Sequence, residues 1–303
     1  VSFEFLREGI VWLEYPTSTF YKLHTTKDVS FSQTFKQDEV QKRTLHASSD
    51  FIEDTVTNTA GPADFDFSIY LLKETLLFQH KPLDLLIDLT GSTLNTFNLY
   101  FVYQDYSPNI YYKIENCVFT NGTFNIPRAG LMTVSLSGQG TKLTRNAAPF
   151  SVGVGDWDST PTFAVSKEFR VQVGGNYLDN ILGASFEIQN DINWTKNVTL
   201  QETLAVTDYT DTIYPSGFTL NGRSMAGSIN QYIDETNSQS NDNVLTWAEG
   251  TSVQIQAGLS ASDYQIDISL PNASFTNRAA FGDIFTQSYD FRLTSGTAPT
   301  FIY

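Results

Sequence analysis

The sequence predicts a mainly β protein made of two tandem, similar β-sandwich or partly open barrel modules, each with one short helix and a long loop. Three observations predict it. Asn116-Cys117-Val118-Phe119-Thr120-Asn121 returns as Asn272-Ala273-Ser274-Phe275-Thr276-Asn277, 156 residues later. The palette favours strands, with 14% aromatic residues and 23 Phe and 15 Tyr against 2 Met. Apolar and polar residues alternate in runs such as Phe65-Asp66-Phe67-Ser68-Ile69-Tyr70-Leu71, the period of a half-buried strand.

Other features recur at nearly the same spacing. Leu23 and Val29-Ser30-Phe31 match Leu178 and Ala184-Ser185-Phe186 at 155, Ser68-Ile69 matches Ser228-Ile229 at 160, and Leu86 to Gly91 matches Leu245 to Gly250 at 159. Markers in constant order at near-constant offset describe a duplicated module with small loop insertions. A chain of 303 residues accommodates two domains of about 150 residues, each with its own core. The expected division is 1–148 for the first module, 149–161 for a turn-rich linker and 162–303 for the second module.

Along the first module, Glu4 to Tyr15 and Phe20 to Thr25 are expected as strands separated by Tyr15-Pro16-Thr17-Ser18, followed by Val29 to Phe35. The acidic passage from there to Phe65, with Gly61-Pro62, is too polar for a core and predicts a long loop or protruding hairpin. Pro82 to Leu89 breaks the period of two, with Pro82 suited to a first helical turn and Gly91 to a stop, so a short helix is expected there and at Asp242 to Glu249. Strands are expected again at Leu94 to Tyr103, Ile110 to Phe119 and Leu131 to Ser137. In the second module they are expected at Phe163 to Val173, Ala184 to Ile188, Asn197 to Val206, Met225 to Ile233, Ser252 to Leu259, Tyr264 to Leu270 and Ile284 to Leu293, with a polar loop over 207–222.

Little in the sequence points to catalysis. His24, His46 and His80 form no HExxH or His-x-His pattern, and no nucleophile elbow or Walker loop occurs. The pairs Asp64/Asp66, Asp156/Asp158 and Asp208/Asp211 read as solvated loop acids, and the four Asn-x-Ser/Thr triplets as products of composition. The single cysteine, Cys117, excludes an internal disulfide framework and reads as a packed thiol in a strand. No apolar run reaches 18 residues, so no membrane span is expected, and Val1-Ser2-Phe3-Glu4-Phe5 has no basic end followed by an apolar stretch, so no export leader is expected. Lys and Arg total 18 against 33 Asp and Glu, a net charge of −15. Residues 1–150 hold 12 basic and 16 acidic residues and 151–303 hold 6 and 17, which does not suit gripping nucleic acid through its phosphates.

The segment from Ile114 to Leu143, with Asn116-Cys117-Val118-Phe119 ahead of a return strand that ends Ser137-Gly138-Gln139-Gly140, resembles the C-terminal half of bacteriophage tail tube proteins. The second copy, Ile266 to Gly296, lacks the Gly-x-Gly ending. The order of strands, long polar loop, helix and closing strands is also similar to that family, in particular to long flexible-tailed phages whose tube module is duplicated. The resemblance implies a structural virion protein without cofactor, metal or catalytic residues. It would assemble in the host bacterial cytoplasm as homotrimers, pseudo-hexameric rings of 3 × 2 = 6 modules stacked into a tube. It implies a channel for genome passage during DNA ejection, without specific DNA binding. The implied partners are the chain itself, a tape measure protein, a tail terminus and a baseplate. A tail-terminus or baseplate hub ring is the alternative within that architecture. A tandem β-sandwich carbohydrate-binding protein using Trp12, Trp157, Trp194 or Trp247 is the alternative of another class.

Strict alternation then names candidate lumen-facing residues. With Ile110, Tyr112, Ile114, Val118 and Tyr264, Ile266, Ile268, Leu270 turned inward, Lys113, Glu115, Gln265, Asp267 and Ser269 lie on the opposite face. On the return strands, Thr133, Ser135, Ser137, Thr286, Ser288, Asp290 and Arg292 do the same. Candidate ring-stacking loops are 36–64 and 207–222, carrying Glu39, Asp50, Glu53, Asp54, Asp208, Asp211 and Tyr214.

Overall fold

The computed structural model describes residues 9–40, 54–72, 81–103, 110–146, 150, 154–156, 163–195, 213–233, 250–260, 263–280, 286–294 and 300–302. Within them the chain is mainly β, with 21 strands and one helix. The first half runs β1 (Gly9–Glu14), β2 (Thr19–Leu23), β3 (Thr25–Val40), β4 (Asp54–Tyr70), α1 (Lys81–Ile87), β5 (Leu89–Thr90), β6 (Thr93–Leu94), β7 (Phe97–Tyr103), β8 (Tyr111–Pro127), β9 (Gly130–Leu131), β10 (Thr133–Gly140) and β11 (Lys142–Asn146). Next come β12 (Val154–Asp156), β13 (Val165–Ser166), β14 (Glu168–Val173), β15 (Asn176–Tyr177), β16 (Ile181–Thr195), β17 (Gly217–Tyr232), β18 (Thr251–Ser260), β19 (Asp263–Ala280), β20 (Thr286–Leu293) and β21 (Thr300–Ile302).

In the first half, one sheet has the order β2-β1-β7-β8-β11 and the other β3-β4-β10-β8. β8 belongs to both. Its residues up to Cys117 pair with β7 and β11, and those from Val118 onward pair with β10. The change of sheet falls at Asn116, where φ is 49°, and Cys117, Val118 and Phe119 are then buried in succession. Alternation lapses there because the strand bends from one layer into the other, as at a bulge. The second half repeats these pairings as β15-β14-β18-β19-β21 and β16-β17-β20-β19, with β19 leaving β18 for β20 at Ala273. The repeated hexapeptide therefore marks, in each half, the place where one long strand passes between two sheets.

The inner faces of these sheets share one apolar core. Leu13, Leu99 and Ile114 meet Phe67, Phe119 and Leu136 in the first half, and Val171, Ile255 and Ile268 accompany Phe186, Ile229 and Tyr289 in the second. Each fully buried side chain of this size contributes about 1.5–3 kcal/mol. Helix α1 lies on β8 through Leu83, Leu85 and Leu86, all buried. A Cβ at position 122 would overlap the Leu86 side chain, so Gly122 lets the helix sit directly on the strand.

Of the two alternatives for the acidic passage, the hairpin holds over 36–40 and 54–64, because β3 and β4 stay paired out to Val40 and Asp54 despite their polar sequence. Other boundaries differ from the expectation. Residues 217–222 belong to β17 and not to a loop, since β16 extends to Thr195 and supplies a partner strand. The expected strand at 197–206 and helix at 242–249 lie outside the described residues. Within the expected linker, β12 pairs in parallel with β2 and adds a strand to the first sheet.

Candidate channel face and sheet joint

β8 carries a second pairing that joins the halves. Its residues Asn121 to Pro127 run antiparallel to Gly183 to Gln189 of β16, on the edge that β10 leaves free. Eight strands thus form one continuous surface in the order β3-β4-β10-β8-β16-β17-β20-β19. Its inner side carries core residues such as Phe67, Leu136, Phe124, Phe186, Ile229 and Phe291.

The opposite side is mostly polar, and strand register sets its residues in rows. One row runs through Ser30, Asp66, Ser137, Asn121, Gln189 and Ser224. The next runs through Ser68, Ser135, Thr123, Glu187, Ala226, Arg292 and Ser274. A third runs through Thr133, Asn125, Ser185, Ser228, Asp290 and Thr276. Neighbouring hydroxyls satisfy one another, Ser68 with Ser135 and Ser185 with Ser228, each at 2.9 Å. Gln139 Nε2 donates to Asp64 Oδ1 at 2.8 Å, and Asn121 Nδ2 donates to Glu187 Oε1. In these rows Asp66, Glu187 and Asp290 accompany one cation, Arg292, and the next row places Arg278 opposite Ser288. Such a surface offers phosphate groups few cations to grip.

Thr133, Ser135 and Ser137 of β10 and Thr286, Ser288, Asp290 and Arg292 of β20, expected to face a channel, share this surface. Lys113, Glu115, Asp267 and Ser269 lie on the other sheet of their half, because β8 and β19 change sheets after them. Lys113 Nζ donates to Glu115 Oε1 at 2.9 Å, and Gln254 and Gln256 donate to Asp267. Gln265 lies in β19, with its side chain outside the described residues. Of the residues expected in stacking loops, Glu39 and Asp54 sit at the end of the β3–β4 hairpin, their side chains outside the described residues. Tyr214 precedes β17 and meets the Phe35 ring edge-on at 6.3 Å, with Lys142 Nζ 5.0 Å from its centroid. Asp50, Glu53, Asp208 and Asp211 lie outside the described residues.

The joint between halves has a polar lock that the sequence alone did not suggest. Arg223 of β17 donates from Nε to Asn190 Oδ1 at 2.7 Å, from Nη1 to Ile87 O at 2.6 Å and from Nη2 to Leu86 O at 3.3 Å. Asn190 Nδ2 donates to Leu86 O and Phe119 O at 3.2 and 3.0 Å. These donors satisfy carbonyls at the C-terminus of α1, where a cation also suits the helix dipole. Burial lowers the Arg223 pKa, and the charge of Asp88 opposes that shift. The available signal was parity, since Arg223 precedes Met225, Gly227 and Ile229 on the inward side of β17.

A second cluster lies on the outer face of the first half. Trp12, Phe20, Tyr100 and Val102 are buried there, with Phe150 against Trp12, Phe20 and Tyr100. Trp12 is therefore not an exposed platform for a sugar, while Trp194 donates to Gln139 Oε1 at 2.8 Å. Trp157 and Trp247 lie outside the described residues. Beside the cluster, Glu14 accepts from Tyr100 Oη at 2.6 Å, Asn98 Nδ2 at 2.9 Å and Ser18 N at 2.8 Å. Burial pushes the Glu14 carboxyl up, but these donors and Lys113 outweigh it and hold the pKa below its usual value. Tyr100 is pushed above its ordinary range by burial and by Glu14. Cys117 is fully buried, as expected, and burial raises its thiol pKa well above the usual value.

A family model for bacteriophage baseplate tube proteins matches residues 1–303, the whole chain. The chain belongs to that family. It is a structural component of the phage tail, not an enzyme. Among curated proteins none matches it. No helix of the described residues is long and apolar enough to cross a membrane.

Proposed function

We propose that three copies of this chain close edge to edge into a ring around a polar channel, and that such rings build a tube through which the genome passes. The observation that carries this reading is the joint inside one chain. By order and pairing, β16 is the counterpart of β3 and β19 is the counterpart of β8. The edge of β8 that receives β16 therefore has a counterpart on β19 over Ser274–Ala280, and β3 is the strand suited to fill it. Among the described residues, no strand pairs with either edge. Repeating the internal joint between chains is a heterologous contact that leaves no exposed strand edge once a ring closes.

In this reading each chain is two copies of one module, and three chains give a pseudo-hexamer. The inner wall then has 3 × 8 = 24 strands. Strands about 4.8 Å apart and tilted by about 40° close at a backbone radius on the order of 25 Å, leaving room for a nucleic-acid duplex. The serine, threonine and amide rows line the bore, with Thr133, Ser135, Ser137, Thr286, Ser288, Asp290 and Arg292 among them. Duplex DNA carries a phosphate charge roughly every 1.7 Å of axis, and a wall poor in cations lets it slide without sticking. Lys113, Glu115, Asp267 and Ser269 belong to the outer layer. The β3–β4 hairpin and the segment leading to β17, including Tyr214, are the elements for stacking one ring on the next.

Assembly takes place in the host cytoplasm with other tail components, a tape measure protein and a tail terminus among them. The family description names the baseplate, which favours a position at the tail tip, near the hub, over a long flexible tube. Native mass spectrometry with negative-stain microscopy tests the reading. Particles in multiples of three chains with a central hole are expected, whereas a dispersed monomer at high concentration would contradict it.

A further inference from the structure

We propose that Phe35 anchors the joint between chains, docking on the edge of β19 that no described strand pairs, in a second copy of this chain. The inference rests on the edge-to-edge ring proposed above and concerns what holds its trans joint. The spacing of 155 that takes Phe31 to Phe186 takes Phe35 to Asn190. Phe35 thus stands on β3 where Asn190 stands on β16. Asn190 is 2% exposed and bonded across the internal joint to Phe119 O and Leu86 O, whereas Phe35 is 48% exposed.

The receiving side has the same asymmetry. Phe119, beside the internal joint, is 0% exposed, and its counterpart Phe275 is only partly buried on the core. Each strand of the proposed trans joint therefore presents a half-covered phenylalanine where the internal joint is sealed. The two joints also differ in chemistry. The internal one is fixed by the amide and guanidinium of Asn190 and Arg223, while Phe35 pairs in register with Ala60. An apolar anchor makes a contact between separate chains without burying an unpaired charge, and aromatic residues are typical anchors of interfaces.

The test is a cysteine trap read with and without the anchor. By the register Asn121 to Gln189 of the internal joint, residues 276 and 34 oppose each other between chains, since Thr276 faces Asp290 on the polar side as Asn121 faces Ser137. Thr34→Cys with Thr276→Cys, oxidised after mixing, is expected to give covalent trimers, and the native Cys117 is buried and does not interfere. Adding Phe35→Asp is expected to abolish the cross-link and to raise the concentration needed for assembly at least roughly tenfold, with Phe35→Leu intermediate. Circular dichroism of each variant reports that the chain still folds. If the cross-link and assembly persist unchanged with Phe35→Asp, the anchor is overturned and the ring stands. If the cysteine pair never links chains although particles form, the edge-to-edge ring fails and the anchor with it.

Discussion

The two halves pair their strands in the same order, yet their outer sheets are dressed differently. Trp12 faces Tyr100, and Glu14 faces Asn98, between β1 and β7. At the corresponding register, Arg170 faces Gln256 and Gln172 faces Gln254 between β14 and β18. The first face is aromatic and buried, covered by Phe150 and flanked by β12 on β2. The second is half-exposed, with Arg170 paired to Glu168 and 5.9 Å from the Tyr177 ring. Core parity sets the strand order in both halves, whereas each outer face follows what the chain lays over it. Among the described residues, the segment joining the halves covers only the first.

The sharpest way to break this contrast is to truncate corresponding residues. Trp12→Ala is expected to cost about 3–5 kcal/mol in chemical denaturation, because it empties a buried aromatic site. Arg170→Ala, on the exposed counterpart, is expected to stay within about 0.5 kcal/mol. Equal losses would mean that the two faces are not differently loaded. At the internal joint, Gly122→Val is expected to cost about 1–3 kcal/mol by driving a side chain into Leu86. Asn190→Ala is expected to cost about 1–3 kcal/mol by removing the donor to Phe119 O and the acceptor of Arg223 Nε, measured in the same way.

A smaller effect comes from pH. Glu14 titrates in the folded chain below its ordinary value of 4.5, so its stabilisation is complete above that pH and is lost as pH falls through the folded value. Glu14→Gln should flatten the decline of melting temperature below pH 4.5, and an unchanged decline would remove Glu14 from the account. The smallest change in stability, within about 0.5 kcal/mol, is expected from Ser135→Lys on the polar face. That variant is nevertheless expected to retain DNA at low salt where the wild type does not.

Much of the framework was legible in the sequence. Alternation at Phe65 to Leu71 and Tyr264 to Leu270 marked strands, and Pro82 with the following leucines marked α1. The repeated hexapeptide was visible, but its meaning as a change of sheet was not, since parity along β8 cannot show that Lys113 and Asn121 belong to different layers. Asn190, Arg223 and Leu86 were illegible as a group because strand register between distant segments brings them together. The outer aromatic cluster was hidden for the same reason, with Phe150 arriving from a stretch whose sequence signalled only turns.

The most direct test is a cryo-EM map of the assembled particle at a resolution that traces strands. The account predicts threefold symmetry, with residues 274–280 of β19 in one chain lying antiparallel beside β3 of the next, in the manner of β8 and β16 within a chain. A map in which the edges of β3 and β19 face solvent, or in which the polar face points away from the axis, would contradict it.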